Sequence, residues 1–123
     1  MDFNLKEQKY ISENAHNRNT DWLSESSYGL FFHILPEKEN FESIIKGFNA
    51  EQLAEECFEC AADYVFITIG QNSGLINVPS SVYEKYTGRR ELCSNRDIAE
   101  EMYRALSRYG IKLMLYVPAD APK

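Results

Sequence analysis

Tyr64-Val65-Phe66-Ile67-Thr68-Ile69-Gly70-Gln71-Asn72-Ser73-Gly74 decides the fold. Its first six residues are apolar almost throughout and rich in β-branched side chains, which reads as a buried strand. The run then breaks into glycine and amide residues. Two similar runs flank it. Tyr28-Gly29-Leu30-Phe31-Phe32-His33-Ile34-Leu35 is closed by Pro36, and Ile111-Lys112-Leu113-Met114-Leu115-Tyr116-Val117 is closed by Pro118. Between the runs lie two helical stretches. Asn49 is a capping residue with Gln52 at the return position of a capping box, followed by Leu53, Cys57 and Ala61 at four-residue spacing, with Ala54 and Phe58 beside them. Ser94-Asn95-Arg96-Asp97 opens the second helix, with Asp97 at its third position. Ile98, Met102, Ala105, Leu106 and Tyr109 form its apolar stripe, and Gly110 stops it. The order strand, helix, strand, helix, strand predicts an α/β fold with a parallel sheet and right-handed crossovers.

Outward from these elements the chain is less regular. Residues 1–21 form a polar lead-in that reads as a weak helix or a ragged entry, and Trp22-Leu23 is the first strong apolar anchor of a single unit over 22–123. Gly70 to Cys93 is a long connection, where about two to six residues are usual, so it reads as a functional loop. The 123 residues suit one hydrophobic core. With 44% hydrophobic residues, eight Tyr and seven Phe, disorder is excluded. A net charge of −6 lacks the basic footprint of a nucleic-acid or anionic-membrane binder. No apolar run reaches the roughly 18 residues of a membrane span, and the polar N-terminus is no signal peptide.

Cys57, Cys60 and Cys93 are odd in number, which argues against a disulfide framework and fits a reducing, cytoplasmic setting. Cys57-Phe58-Glu59-Cys60 matches a C-x-x-C pair. A redox pair, however, normally starts at a helix N-terminus, where the dipole lowers the thiol pKa, and this one falls near a helix end. No second close pair completes a zinc set. No metal or organic cofactor is implied.

Parallel α/β folds place ligands at the carboxyl ends of their strands. Those ends carry His33, Gln71, Asn72, Ser73 and Tyr116, all able to hydrogen-bond hydroxyls. On the third strand, Leu113, Leu115 and Val117 form an apolar face that should meet helices. Lys112, Met114 and Tyr116 form the face that would look into a lumen or sheet interior. Each candidate also has a plainer reading. His33 and Tyr116 serve equally as packing residues, and Gln71 to Gly74 as a turn. Arg96 and Asp97 serve as helix-start residues, and Glu37, Glu39 and Glu42 as a solvated charge run.

These residues carry a resemblance. Trp22 followed by Tyr28-Gly29-Leu30-Phe31-Phe32-His33 resembles the W…F-G-x-F-x-H opening of the α-L-fucosidases of glycoside hydrolase family 29. Phe48 to Ala54 resembles that family's F-D-x-x-x-[WL]-A stretch. Ala62-Asp63-Tyr64 resembles its entry to strand two. Arg96-Asp97 with Gly110 to Tyr116 resembles its R-D…G-[IL]-K-x-x-x-Y run. The ordered set spans Trp22 to Pro118. The resemblance implies the N-terminal part of a (β/α)8 TIM barrel, about three parallel strands with intervening helices. It implies His33, Gln71 and Asn72 as residues that hold sugar hydroxyls, with Tyr116 lining the same pocket. The family's K-H-H-D-G-F maps onto Gly70 to Leu75, so Gln71 and Asn72 stand where histidines stand in the family. They bind hydroxyls but cannot carry a histidine's charge. The Trp-Gly after the first histidine is replaced by Ile34-Leu35.

A complete relative is expected to hydrolyse terminal α-L-fucosides with retention. That chemistry needs two carboxylates about 5 Å apart. The family's nucleophile ends strand four and its acid/base comes later, so neither maps onto these residues, and the chain alone is expected to be inactive. A TIM barrel also needs about 250 residues. Two rival readings stand beside this one. The chain is a non-catalytic carbohydrate-binding or protein-interaction module, or it is a self-sufficient α/β domain that covers its open sheet edges by forming a homodimer. A flavodoxin-like nucleotide binder is disfavoured, because no Gly-rich loop leads directly from strand to helix.

Overall fold

The three apolar runs form one parallel sheet in the order β1-β2-β3, with β2 central. The computed structural model describes residues 20–118. The elements are α1 (Asp21–Glu25), β1 (Gly29–Phe32), α2 (Phe41–Gly47), α3 (Ala50–Glu59), β2 (Tyr64–Thr68), α4 (Ser81–Thr87), a 3-10 turn (Arg90–Leu92), α5 (Ile98–Ser107) and β3 (Lys112–Tyr116). The lead-in through residue 19 and the tail from 119 lie outside the described residues.

Register sorts the side chains into rows. Gly29, Tyr64 and Lys112 are aligned across the sheet, then Phe31, Phe66 and Met114, with Thr68 beside Tyr116 further up. Because successive strand residues face opposite ways, these rows share one face. Leu30, Phe32, Val65, Ile67 and Leu113 belong to the other, where they pack with Ala54 and Cys57 of α3 and Met102, Ala105 and Leu106 of α5. Both crossover helices therefore cover the same side of the sheet. Val65, Ile67, Met102 and Leu106 are fully buried there, each stabilising the fold by about 1.5–3 kcal/mol.

The helix ends follow side-chain chemistry, with some differences from expectation. Asn49 caps α3 by accepting from the Gln52 N–H at 3.1 Å. The Gln52 side chain does not return to it, and donates instead to Glu56 at 3.0 Å. Asp97, not Ser94, caps α5, accepting from the Glu100 N–H at 2.9 Å. Ser94 closes a local turn with Arg96. The buried stripe of α3 is Ala50, Ala54 and Cys57 with Leu53 packed beside it, whereas Phe58 and Ala61 are exposed. The helix ends at Glu59, and Ala61 turns the chain in a left-handed conformation at φ 57°.

The first strand is shorter and less buried than its hydrophobicity suggests. It stops at Phe32, and Phe31 remains 43% exposed. On β3, Leu113 meets the helices as expected. Leu115 and Val117, by contrast, are about half exposed, because no strand among the described residues pairs with the outer edge of β3. The connection after β2 is structured. It holds α4 and the 3-10 turn, capped by Ser80 and stopped by Gly88 at φ 67°.

Candidate functional site

Beyond the ends of β1 and β2 a polar network takes over from the strand ladder. The Thr68 hydroxyl donates to the Ile34 carbonyl at 3.0 Å and accepts from the Ile34 N–H at 2.7 Å. The Asn77 amide donates to the Ile34 carbonyl at 2.9 Å and the Thr68 carbonyl at 3.1 Å. Asn77 is fully buried, and its Oδ1 has no partner among the described residues. Gln71 is also buried and donates to the Pro36 carbonyl, to which Ser73 adds a bond at 3.3 Å. The connection is tied down further along. Ile76 bonds Leu92 and Ser94 through its backbone. The Tyr83 hydroxyl donates to the Gly74 carbonyl at 2.6 Å, and burial pushes its pKa up from the ordinary tyrosine value.

The four residues singled out from sequence thus part company. Gln71 faces inward and fastens the two strand-end loops together. Asn72 is exposed on the turn. His33 and Tyr116 are both exposed and flank one ring, Phe31. The His33 imidazole stacks on Phe31 with centroids 4.2 Å apart, and Tyr116 meets Phe31 edge-on at 5.4 Å.

Phe31 is the hub of a larger aromatic face. Phe66 lies 5.4 Å from it, and Tyr64 meets Phe66 edge-on at 6.1 Å. Trp22, carried by α1, meets Tyr64 edge-on at 6.0 Å. The Tyr64 ring lies across Gly29. These are the sheet residues pointing away from α3 and α5, and Trp22 is the side chain of a described helix that joins them. Phe31 and Tyr116 are each 43% exposed. Lys112 supplies the one formal charge among the strand residues of this face, and no carboxylate lies in its rows. The first two runs read as buried strands, whereas Phe31 is exposed and Tyr64 and Phe66 are half-buried. Their period-two spacing (Phe31 with His33, Tyr64 with Phe66) was the available signal that they share a face. Asn77 escaped notice because a polar residue after a strand reads as loop.

Two clefts among the described residues lie elsewhere, against the helices. One of about 880 Å³ is lined by residues including Lys38, Phe41, Arg90 and Cys93. Another of about 510 Å³ is lined by Asn49, Glu51, Arg104, Arg108 and others. Neither contains any of the four predicted residues. Lys46 and Arg96 line both. The Arg96 guanidinium grips Glu101 at 2.7 and 2.6 Å and the Ile45 carbonyl at 2.7 Å. This pairing holds the Glu101 carboxyl below, and the guanidinium above, their ordinary pKa values. Arg104 pairs with Glu100, and Arg108 with Glu51. Arg96 thus ties the start of α5 to α2 and Arg108 ties its end to α3, while the Arg104–Glu100 pair lies within α5.

Cys57 and Cys93 are buried and Cys60 is exposed, and all three are free thiols. Burial, helped by Cys60 and Glu56, pushes the Cys57 thiol up to about 11, the reverse of a reactive cysteine. Among the described residues no group of His, Cys, Asp and Glu could hold a metal, and no helix is long and apolar enough to cross a membrane. In comparisons with known proteins, no family model, curated relative or solved structure matches the chain.

Proposed function

We propose that the chain is a non-catalytic protein-interaction module whose working surface is the aromatic face of the sheet. The observation that carries this reading is one-sided coverage of the sheet among the described residues. Parallel sheets normally bury both faces, and here both crossover helices lie on one side. The other side presents Trp22, Phe31, Tyr64, Phe66, Met114 and Tyr116 with no carboxylate in its rows. Aromatic and Met enrichment with depleted charge is the composition of an interface centre, and contiguous apolar exposure marks a docking surface. The occupant this chemistry fits is an uncharged, apolar protein layer stacked on the sheet.

An apolar fluorescent dye tests the reading. The folded chain at about 1 μM, well below the range of weak association, should brighten the dye. Phe31→Asp should cut that enhancement several-fold while keeping the circular dichroism and a cooperative melt. A folded native chain that leaves the dye dark contradicts the reading.

A second reading rests on the Phe31, His33 and Tyr116 cluster. In a partial TIM barrel of the α-L-fucosidase type, the strands would run in sequential order with helices outside, and the inner face would end at a ligand site. His33 and Tyr116 flanking an exposed phenyl ring, with Asn72 on the neighbouring turn, support a platform for the apolar face of a sugar ring. On that reading a complete barrel hydrolyses the fucoside, and these residues hold the sugar. Titration calorimetry with L-fucose, repeated on His33→Ala and Tyr116→Ala, tests it. Saturable heat lost in both variants supports the platform, and no heat in the native chain contradicts it.

A further inference from the structure

We infer that the larger cleft against the helices is a binding site for a small organic phosphate, an apolar body carrying a phosphate monoester. This site is separate from the aromatic face of the sheet.

The cleft has two walls. One is a single face of α2 and the turn before it. Lys38, Phe41, Glu42, Ile45 and Lys46 follow spacings of three and four residues, so their side chains share that face. The other wall is the stretch 90–96, which contributes Arg90, Glu91 and Cys93. Arg96 donates from this wall to the Ile45 carbonyl of α2 at 2.7 Å, so the walls are tied together at that end. At about 880 Å³ the cleft falls within the ordinary size of small-molecule sites.

Its charges do not balance. Four cations and two carboxylates line it, in a chain whose net charge is −6. Two of these charges are matched by residues outside the cleft. Glu101 holds Arg96 at 2.6 Å, and Arg89 holds Glu91 at 2.8 Å. Lys38, Lys46 and Arg90 are left against Glu42. Neither lysine forms an ion pair among the described residues, and Arg90, 81% exposed, reaches Glu84 only at 4.0 Å. Glu42 stands four residues from each lysine and pairs with neither.

Between these cations the lining is apolar. Ile45 and Cys93 are buried and Phe41 is half-buried. A phosphate monoester suits this set better than a carboxylate. At neutral pH it carries about −1.5 to −2 charges and three acceptor oxygens, so it answers several separated donors at once. Lysine meets it as a point charge and arginine as a fork. The body of the ligand then rests against Phe41.

An NMR titration of the full chain with phenyl phosphate tests the inference. The Phe41, Glu91 and Asn95 amide signals should shift together and reach half-saturation at about 1 mM. Inorganic phosphate lacks the ring and benzoate has a single charge, so each should bind at least about fivefold more weakly. Lys38→Gln and Lys46→Gln should each weaken phenyl phosphate about three- to tenfold, whereas Glu42→Gln, which removes a like charge, should tighten it about two- to fivefold. Lys85→Gln makes the same charge change on α4, outside the cleft, and should do neither. All four positions are exposed, and far-UV circular dichroism confirms that each variant is folded. Shifts that do not saturate by about 10 mM overturn the inference. So does benzoate or inorganic phosphate binding as tightly, or a Glu42→Gln variant that binds no tighter. An equal loss from Lys85→Gln also overturns it, because general charge attraction would then explain the binding.

Discussion

Tyr64 lies across Gly29 so closely that a Cβ on the glycine would fall 2.1 Å from the ring. Glycine at this position lets the ring lie flat on β1 and take the edge of Trp22 at 6.0 Å. Gly29→Ala should force the ring off the sheet and loosen Trp22. The expected cost is about 1–3 kcal/mol, typical of overpacking. A thermal melt should show the midpoint falling by roughly 4–8 °C per kcal/mol. An unchanged melt would mean that the ring moves freely and the lower row is not fixed.

Thr68 and Asn77 replace the missing ladder above β1. Thr68→Val removes both bonds to Ile34, leaving its N–H without that acceptor while its carbonyl keeps the Asn77 amide. Asn77→Ala removes two more and opens a polar void. Each should cost about 2–4 kcal/mol, measured by urea unfolding. The double variant should cost more than the sum, because only then does the Ile34 carbonyl lose both of its donors.

Much of this framework was legible in the sequence, for definite reasons. The three strands announced themselves by β-branched and aromatic runs, and α5 by a clean apolar stripe ended by Gly110. The seven-residue α4 did not. Its Val82 and Tyr86 are almost wholly exposed, so no stripe marks it, and tertiary bonds such as that from Tyr83 to Gly74 hold it in place. The exposed face was illegible for a different reason. Hydrophobic runs reveal that residues are apolar but not which face the helices will choose. The same limit applied to Gln71, whose inward turn depends on the Pro36 carbonyl of another loop.

Arg96 and Glu101 make stability depend on acidity in one direction. The Glu101 pKa is lowered in the folded state, so its contribution is complete above the unfolded glutamate value. It is lost as pH falls through the depressed folded value. Both side chains are more than a third exposed or close to it, which limits the pair to about 1 kcal/mol or less. Glu101→Gln should melt slightly lower than the native chain at pH 7. The gap should close as pH drops below the ordinary glutamate range. A gap that widens in acid would contradict the assignment.

Thiol labelling separates the cysteines. With the Cys57 thiol raised to about 11 and Cys93 buried, iodoacetamide at pH 8 should modify the native chain once, at Cys60. Unfolding in urea should expose all three. Mass spectrometry that finds Cys57 labelled as fast as Cys60 in the native chain would show that α3 does not pack as described.

The most direct test of an uncovered aromatic face is hydroxyl-radical footprinting of the dilute native chain. Phe31, His33 and Tyr116 should be modified at rates approaching that of Tyr86, which is 80% exposed. Ile67 and Met102, sealed beneath the helices, should stay protected. Phe31 and Tyr116 as protected as Ile67 in dilute solution would contradict the account, because the face would then already be covered within a single chain.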